Sequence, residues 1–454
     1  MTLAFRPDET HPLVSALLAD LGIAPGTFDS AVDARDEMLG FLVQLYGGDR
    51  DQALFQYFRS GASIADSLGQ VLRWRFPDPG RTVKLLDFAS GYGRVTRFLL
   101  RQMPAESVWV ADVYAGGVRF QEERFGVHGI VSAIRPEDFV CGERFDAILV
   151  TSLFTHLPEE RFVAWLRVLL GLLAPGGLLA FSTHSPEVLP ADIKMPPAGD
   201  FLFQPISESG SLDKSDYGSA WMTEAFVRSA LERALAPGAP GPSFHRIERA
   251  LCNFQDLYLV LPEPGVDFSS LTFQGEPQLF VERAELLDSR LEVTGWAAAR
   301  HGTVREVEVW LDAERLAVAP VEDERGDVAG FLGSDRRTPT GWRCVCQLPA
   351  GASRSVAVLR LRVVDGRGDR GHGHVLWAGS VEGLLLAFIR LDASLLRGHL
   401  RRAEDSSTQE SARAATAEAE RSVLQARIAA MEASRFWKLR NAWFRLKARV
   451  GLAS

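Results

Sequence analysis

The stretch Leu85–Arg94, LLDFASGYGR, decides how the chain is read. An apolar run reaches an acid, Asp87, and Gly91-Tyr92-Gly93 follows shortly after it. A run of this kind brings a parallel strand to the carboxyl edge of a sheet, where open α/β proteins bind their ligands. Gly91 and Gly93 let backbone and ligand approach closely, and GRVTRFLL opens a helix whose first amides favour anionic groups. The turn is therefore a phosphate cradle, a dinucleotide site, a site for another nucleoside, or merely a tight strand-to-helix turn. A P-loop is excluded because the GK[ST] ending is missing. The dinucleotide fingerprint fails at Thr96, which stands where its third glycine belongs, and Asp87 ahead of the loop repels a pyrophosphate.

Outward from this turn, the runs VKLLDF, SVWVADV, GIVSAI, FDAILVTS and GLLAFSTH are short, apolar and rich in Val, Ile, Leu and Phe. Helical patterns such as GRVTRFLLRQM and PEERFVAWLRVLLGLLA separate them, and such alternation implies a parallel sheet covered on both faces. AWMTEAFVRSALERAL reads as a further helix and FQDLYLVL as a last strand. Ahead of the sheet, HPLVSALLADLG, AVDARDEMLGFLVQLYGG and ASIADSLGQVLRWRF have helical spacing. Beyond it, LFVERAEL, RLEVTGWAA, REVEVWLD, WRCVCQL and VAVLRLRVVD alternate like strands between Gly, Asp and Pro turns, with no helical pattern among them. The organisation expected is a helical region at 1–80, an α/β domain at 81–262, a linker at 263–277, a small Ig-like β-sandwich at 278–380, and a helical or coiled-coil region at 383–454.

Composition bounds the function. The 454 residues carry a net charge of −8, which argues against general affinity for nucleic acid. Four scattered cysteines (141, 252, 344 and 346) form neither a disulfide framework nor a zinc pattern, so no metal site is expected. The N-terminus lacks a signal-peptide pattern and no apolar run is long enough to span a bilayer, so a reducing, cytoplasmic setting is expected.

Asp112 ends the second strand, and an acid there accepts ribose hydroxyls in several cofactor classes. Taken in order, LLDFASGYGR, VADV, FDAILVTSLFTHL, LLAPGGLLAF and FQDLYLVL resemble class I S-adenosylmethionine (SAM)-dependent methyltransferases over roughly residues 50 to 262. The resemblance is strongest to the branch with a SxFTHLP segment and a Tyr-x-x-x-Gly helix ahead of the first strand, here Tyr57 to Gly61. It implies a Rossmann-like sheet and S-adenosyl-L-methionine as cofactor. By the same resemblance Asp87, Gly91 and Gly93 surround the amino-acid part of SAM, and Tyr57 and Gly61 join the cofactor site. Asp112, with Val113 beside it, holds the ribose; Ser132 lies near the adenine, and Thr151 and Ser152 follow the fourth strand beside the cofactor. Ala89 departs from the family, which commonly has glycine there, and its methyl narrows the site. A nicotinamide-dependent oxidoreductase is disfavoured by Thr96 and by the lack of a Tyr-x-x-x-Lys pair after the fourth strand.

Methyl transfer demands chiefly alignment of the acceptor, with a general base if the acceptor is a hydroxyl. His156 and His184 follow strands at the carboxyl edge, and Tyr217 in SDYGSAWMT lies on a loop over it, so these three are the catalytic candidates. His156 has a structural alternative, satisfying the start of the helix at Pro158. Asp146 starts its strand at the opposite edge, which suits a structural role.

The β-region resembles, more loosely, a small sandwich recurring in bacterial surface-polysaccharide assembly proteins, through its GW strand and its VEVWLD strand. Trp296, Trp310 and Trp342 are read there as core residues rather than carbohydrate platforms. The tail SRFWKLRNAWFRLKARV is a basic amphipathic helix, suited to a membrane surface, a protein partner or a second copy of the chain. Similar tails occur on glycan-assembly glycosyltransferases. The functional expectation is a methyltransferase O-methylating a sugar of a bacterial surface glycan or a related small acceptor. Its alternative is a non-catalytic SAM-binding scaffold of a glycan-assembly complex. Expected partners are the acceptor, a membrane or protein docked through residues 435–450, at the inner membrane face in the first case, and a second subunit through the C-terminal helix.

Overall fold

The computed structural model describes residues 11–379 apart from 25, 191–192, 198, 208, 237, 239, 288, 333–337, 350–356 and 368–372. In chain order the elements are α1 (Pro12–Asp20), α2 (Glu37–Leu45), α3 (Arg50–Arg75), β1 (Leu85–Phe88), α4 (Thr96–Leu99), β2 (Val108–Asp112), α5 (Ala115–Phe125), β3 (His128–Val131), β4 (Phe145–Val150), α6 (Glu159–Gly171), β5 (Leu173–Thr183), β6 (Phe201–Gln204), β7 (Ser219–Met222), α7 (Glu224–Ala234), β8 (Ser243–Leu251) and β9 (Gln255–Leu261). Then follow β10 (Gln278–Leu287), β11 (Arg290–Ala298), β12 (Val304–Leu311), β13 (Glu314–Pro320), β14 (Asp323–Glu324), α8 (Gly326–Leu332), β15 (Pro339–Gln347), β16 (Ala357–Asp365) and β17 (Gly373–Gly379). The described residues divide into two units, one within 26–276 and the other made of 11–24 together with 277–379.

In the first unit a seven-stranded sheet has the order β3-β2-β1-β4-β5-β9-β8. Neighbours from β3 to β5 run parallel, and β9 and β8 close the sheet antiparallel. Strands buried on both faces need continuous apolar runs, and Leu85, Leu86, Phe88, Ile148, Leu149, Val150, Leu179 and Phe181 are all buried. The order reverses between β1 and β4, and the crevice outside their carboxyl ends is where a doubly wound sheet holds its ligand. Helix α3 joins the two segments read as helical, 57–61 and 62–76, and begins seven residues ahead of them. It starts at Asp49, whose carboxylate accepts from Gln52 N at 3.0 Å.

Several expectations are corrected here. AVDARDEMLGFLVQLYGG is helical only over Glu37–Leu45, because Asp36 caps α2, accepting from the amides of Met38 (2.9 Å) and Leu39 (3.3 Å). AWM belongs to β7, and the helix begins after Thr223. GRVTRFLLRQM yields only the short α4. Strand β8 was not anticipated, since SFHRIERAL is polar and Arg-rich, as an edge strand allows.

The second unit contains two four-stranded sheets, β10-β11-β15-β14 and β13-β12-β16-β17, which share one core of residues including Leu291, Val293, Val307, Val309, Trp342 and Leu361. Trp296 and Trp342 are buried, and Trp310 lies under the guanidinium groups of Arg360 and Arg362 at 5.1 and 5.5 Å. All three tryptophans are thus packed against their own unit. Two features depart from the sequence reading. A helix, α8, stands among the strands, with Val328 buried in a small cluster with Trp296 and Ala298. And α1, expected with the N-terminal helices of residues 1–80, packs on β16 and β17. Its Asp20, buried, is ion-paired with Arg360 and lies 3.6 Å from Arg362, whose Nε is 3.3 Å from Glu308. Apolar spacing cannot reveal such a contact, because a polar pair more than 300 residues apart carries it. The coiled-coil region at 383–454 and the 435–450 tail lie outside the described residues. No helix among the described residues is long and apolar enough to cross a membrane.

Candidate functional site

The turn after β1 is held from both sides. The Ala89 and Ser90 amides donate to Ala111 O on β2, at 2.7 and 3.2 Å, and Gly93 N donates to Ser90 O at 3.0 Å. Ala89 itself has φ 60°, the left-handed region that glycine tolerates best, so its departure from the family pattern is chiefly a backbone cost. Gly93 serves packing as well as conformation: a Cβ there would collide with the Phe125 ring and the Gln121 amide. Gln121 in turn binds the loop, donating to Ser90 Oγ at 2.9 Å and Gly91 O at 3.1 Å.

Two buried carboxylates face this turn. Asp87 Oδ2 accepts the Thr96 hydroxyl at 2.7 Å. The residue that breaks the dinucleotide fingerprint therefore orients the acid ahead of the loop. Asp87 Oδ1 meets no donor among the described residues, and burial pushes the Asp87 carboxyl up to about 7. Asp112 accepts from Gly91 N at 2.8 Å through Oδ2 and from Tyr114 N at 2.9 Å through Oδ1. Burial raises its carboxyl above the usual range too.

Both acids line one cavity of about 230 Å³ at the β1/β4 switch point. Of the residues expected from the sequence, Asp87, Ala89, Gly91, Asp112, Val113, Ser132, Thr151, Ser152 and Tyr217 line it. Ser132 N donates to Asp112 O at 2.8 Å, which fixes the turn after β3 beside that acid. Ser152 has φ 67°, a second strained residue at the cavity wall, and its amide donates to Ser182 Oγ at 2.8 Å.

Five expected residues are placed elsewhere. Tyr57 is buried in α3 and donates to Asp36 Oδ2 at 2.6 Å. Gly61 lets α3 close onto the loop, since a Cβ there would strike Arg94 O, and Gly93 packs against α5 as described. Gly61 and Gly93 support the turn from behind, and Tyr57 holds the start of α2. His156 is buried, stacks on Tyr217 with centroids 4.5 Å apart, and lies 2.7 Å from Gly218 O through Nδ1. A carbonyl only accepts, so Nδ1 carries the proton and donates. His184 packs against Phe254 (4.6 Å) and lies 3.5 Å from Gln255 Nε2. Neither histidine lines the cavity. The helix-start role considered for His156 gives way to this bond across to the loop before β7. Asp146 is structural, accepting from Lys84 N at 2.9 Å and Arg81 at 2.6 Å.

Sequence reasoning missed the far wall of the cavity: Asp36, Glu37 and Met38 at the start of α2, Arg94 and Tyr114, and the segment carrying Ser209, Leu212, Asp213 and Asp216. A capping reading of DEML would have brought out Asp36. The other residues come from distant segments with no shared motif.

Residues 85–177 match the family model of a methyltransferase domain. No curated protein matches the chain. Solved structures it resembles include the SAM-bound amino pentose methyltransferase CalS10 of Micromonospora echinaspora, at 17% identity over 45% of this chain and 92% of that one (TM-score 0.32). The sugar N-methyltransferase KedS8 of Streptoalloteichus sp ATCC 53650 matches at 16% identity over 53% and 98% (TM-score 0.35). A 1,6-didemethyltoxoflavin-N1-methyltransferase of Burkholderia thailandensis matches at 18% over 44% and 78% (TM-score 0.31). At such scores these likenesses carry no weight for the acceptor. The domain match and the site agree: the chain carries a SAM-dependent methyltransferase domain, with S-adenosylmethionine as its cofactor. The residues present fit that group: an unsatisfied buried carboxylate oxygen of Asp87 suits a cation, and a second acid, Asp112, ends the neighbouring strand at the same cavity.

Proposed function

We propose that the enzyme methylates a hydroxyl of a sugar, on a bacterial surface glycan or a related small acceptor. One observation carries this reading. The segment with Ser209, Asp213, Asp216 and Tyr217 enters the same cavity as Asp87 and Asp112, so a wall of hydroxyls, carboxylates and an aromatic ring adjoins the cofactor residues. Such a wall accepts hydrogen bonds from a polyhydroxylated ring and offers Tyr217 as a face to stack on. Arg94 is the one cation among the described lining residues, against six carboxylates, so an uncharged acceptor suits the wall better than a phosphorylated one.

The cofactor supplies an electrophilic methyl group on a sulfonium, which leaves alignment and proton acceptance to the protein. Asp87, Asp112, Val113, Ser132, Thr151 and Ser152 are assigned to holding it, and Arg94 to its carboxylate. Asp216, paired with Arg161 at 3.3 Å, is a carboxylate at the cavity able to take the hydroxyl proton. Tyr217 contacts the acceptor, and His156 is a positioning residue that acts through it. The looser glycan resemblance of the β-strand unit and of the 435–450 segment supports the acceptor class. Labelled methyl transfer from SAM to a panel of free sugars, oligosaccharides and nucleotide sugars tests the reading. Transfer to a sugar hydroxyl, with KM raised by Tyr217→Ala, is expected. Transfer to no sugar while SAM still binds would remove the acceptor assignment and leave the cofactor assignment intact.

A further inference from the structure

Two segments that belong to neither strand edge contribute to the cavity wall: the first turn of α2 and the loop around Ser209 and Ser211. They meet at a single hydroxyl. Tyr114 Oη donates to Glu37 Oε2 at 3.1 Å, and lies 2.6 Å from Ser211 Oγ and 3.3 Å from Ser209 Oγ. Ser211 Oγ in turn donates to Glu37 Oε1 at 2.9 Å, closing a triangle of side chains from three separate parts of the chain. Tyr114 is also the residue whose amide binds Asp112 Oδ1, so the triangle is tied to the carboxylate assigned to the cofactor.

The bonds at this junction differ from those that hold the rest of the site. The turn after β1 is fixed by buried backbone bonds, and Asp36 anchors α2 from beneath through buried contacts with Tyr57. The Tyr114–Glu37–Ser211 triangle instead lies at the surface: Ser211 is exposed, and Tyr114 and Glu37 are half-buried. Polar bonds that water can replace cost little to open, whereas Asp36 keeps the start of α2 in place and Ser219 Oγ, donating to Ile206 O at 2.7 Å, ties the foot of the loop to β7. Glu37, Tyr114 and Ser209 line the cavity together with Asp112, so the junction forms part of the wall of the same cavity.

We propose that the Tyr114 hydroxyl, Glu37 and Ser211 form a latch that sets how fast the cofactor product leaves and fresh cofactor enters. The proposal rests on the SAM assignment of the cavity and adds to it a part that sets exchange rate rather than affinity for any one group of the ligand. An opening step of this kind governs turnover in many enzymes that enclose their reactants.

The test measures dissociation of S-adenosylhomocysteine from the full-length protein by stopped-flow displacement, with equilibrium binding by calorimetry alongside. Tyr114→Phe keeps the ring and removes the hydroxyl, and its off-rate is expected to rise about fivefold, with Ser211→Ala giving a similar rise. Glu37→Ala is expected to match them, and Glu37→Gln, whose amide oxygen accepts from one hydroxyl while its NH2 donates to the oxygen of the other, to stay within about twofold of wild type. Because the three groups act as one unit, Tyr114→Phe combined with Glu37→Ala should release no faster than either alone. Off-rates unchanged in Tyr114→Phe and Ser211→Ala, with binding intact, overturn the latch and leave the cofactor assignment standing. Additive effects in the double variant also overturn it, since they mark independent contacts. Absence of S-adenosylhomocysteine binding by wild type overturns the cofactor assignment itself, and the latch with it.

Discussion

Affinity for SAM is expected to fall with acidity, through one residue. Burial holds the Asp87 carboxyl near 7, so in the free protein it carries a proton below that pH. A cationic ligand beside the unsatisfied Oδ1 favours the ionised form, so binding expels the proton. The sign follows: affinity is flat above pH 7 and weakens as pH falls through it, by about tenfold per pH unit. At pH 5, two units below, binding should be about 100-fold weaker, or roughly 2.7 kcal/mol. Asp87→Asn preserves the acceptor for the Thr96 hydroxyl and removes the titration. Asp112 and Asp36 are also raised by burial, so some slope persists in the variant, and the difference between the two proteins isolates Asp87. In calorimetry with SAM between pH 5 and 7.5 the ligand's own α-amino group, titrating at about 7.7–8, enters only at the upper end and contributes equally to both proteins. Run in two buffers of different ionisation enthalpy, it also counts protons released, and more should be released by wild type than by Asp87→Asn at pH 6. A wild-type affinity that is flat from pH 5 to 7.5, or an identical slope in Asp87→Asn, would refute the reasoning.

Other expectations follow from the same structure. A folded-state carboxyl raised above its unfolded value contributes stability that is fully present below about pH 3.8 and is lost as pH rises to about 7, so Asp87→Asn should stabilise the free protein increasingly across that window, by about 1.4 kcal/mol per pH unit, and by a constant amount above it, seen as a Tm difference that is larger at pH 6 than at pH 4 and levels off by pH 8. Ala89→Gly removes a left-handed alanine at a cost in unfolded-state entropy, for a net gain of about 0.5 kcal/mol in urea denaturation; a loss would show that the methyl is needed. Asp20→Ala strands the buried Arg360 and should destabilise the β-strand unit by about 3 kcal/mol, seen as an earlier unfolding transition for that unit alone. His156→Phe keeps the stack on Tyr217 but loses the bond to Gly218 O, so it should raise KM for the acceptor with the pH profile unmoved; a lost acid limb in that profile would make His156 the base.

The parts of this protein legible in its sequence are those encoded in adjacent residues. LLDF, VADV and FDAILV each carry a strand and the residue at its carboxyl end in one segment, so the crevice, Asp87 and Asp112 could be read together. The reading failed where placement depends on partners far along the chain. His156 and His184 follow strands as expected, yet His156 stacks on Tyr217, His184 packs at a tilt against Phe254, and neither lines the cavity. Tyr57 and Gly61 were read as touching the cofactor, but a phenol bonded to Asp36 and a helix pressed on Arg94 O put them behind the loop. Helix α1 has ordinary amphipathic spacing, and nothing in that spacing shows the Asp20–Arg360 pair that helps join it to the strands. Glu37, Tyr114 and Ser211 carry no motif at all.

The most direct measurement is a calorimetric titration of the full-length protein with SAM at pH 7.5, for wild type and for Asp112→Ala. One ligand bound per chain by wild type, and affinity at least about tenfold weaker in the variant, is the expected result. No heat of binding for wild type, or equal affinity in the two proteins, would contradict a SAM site built on the ends of β1 and β2.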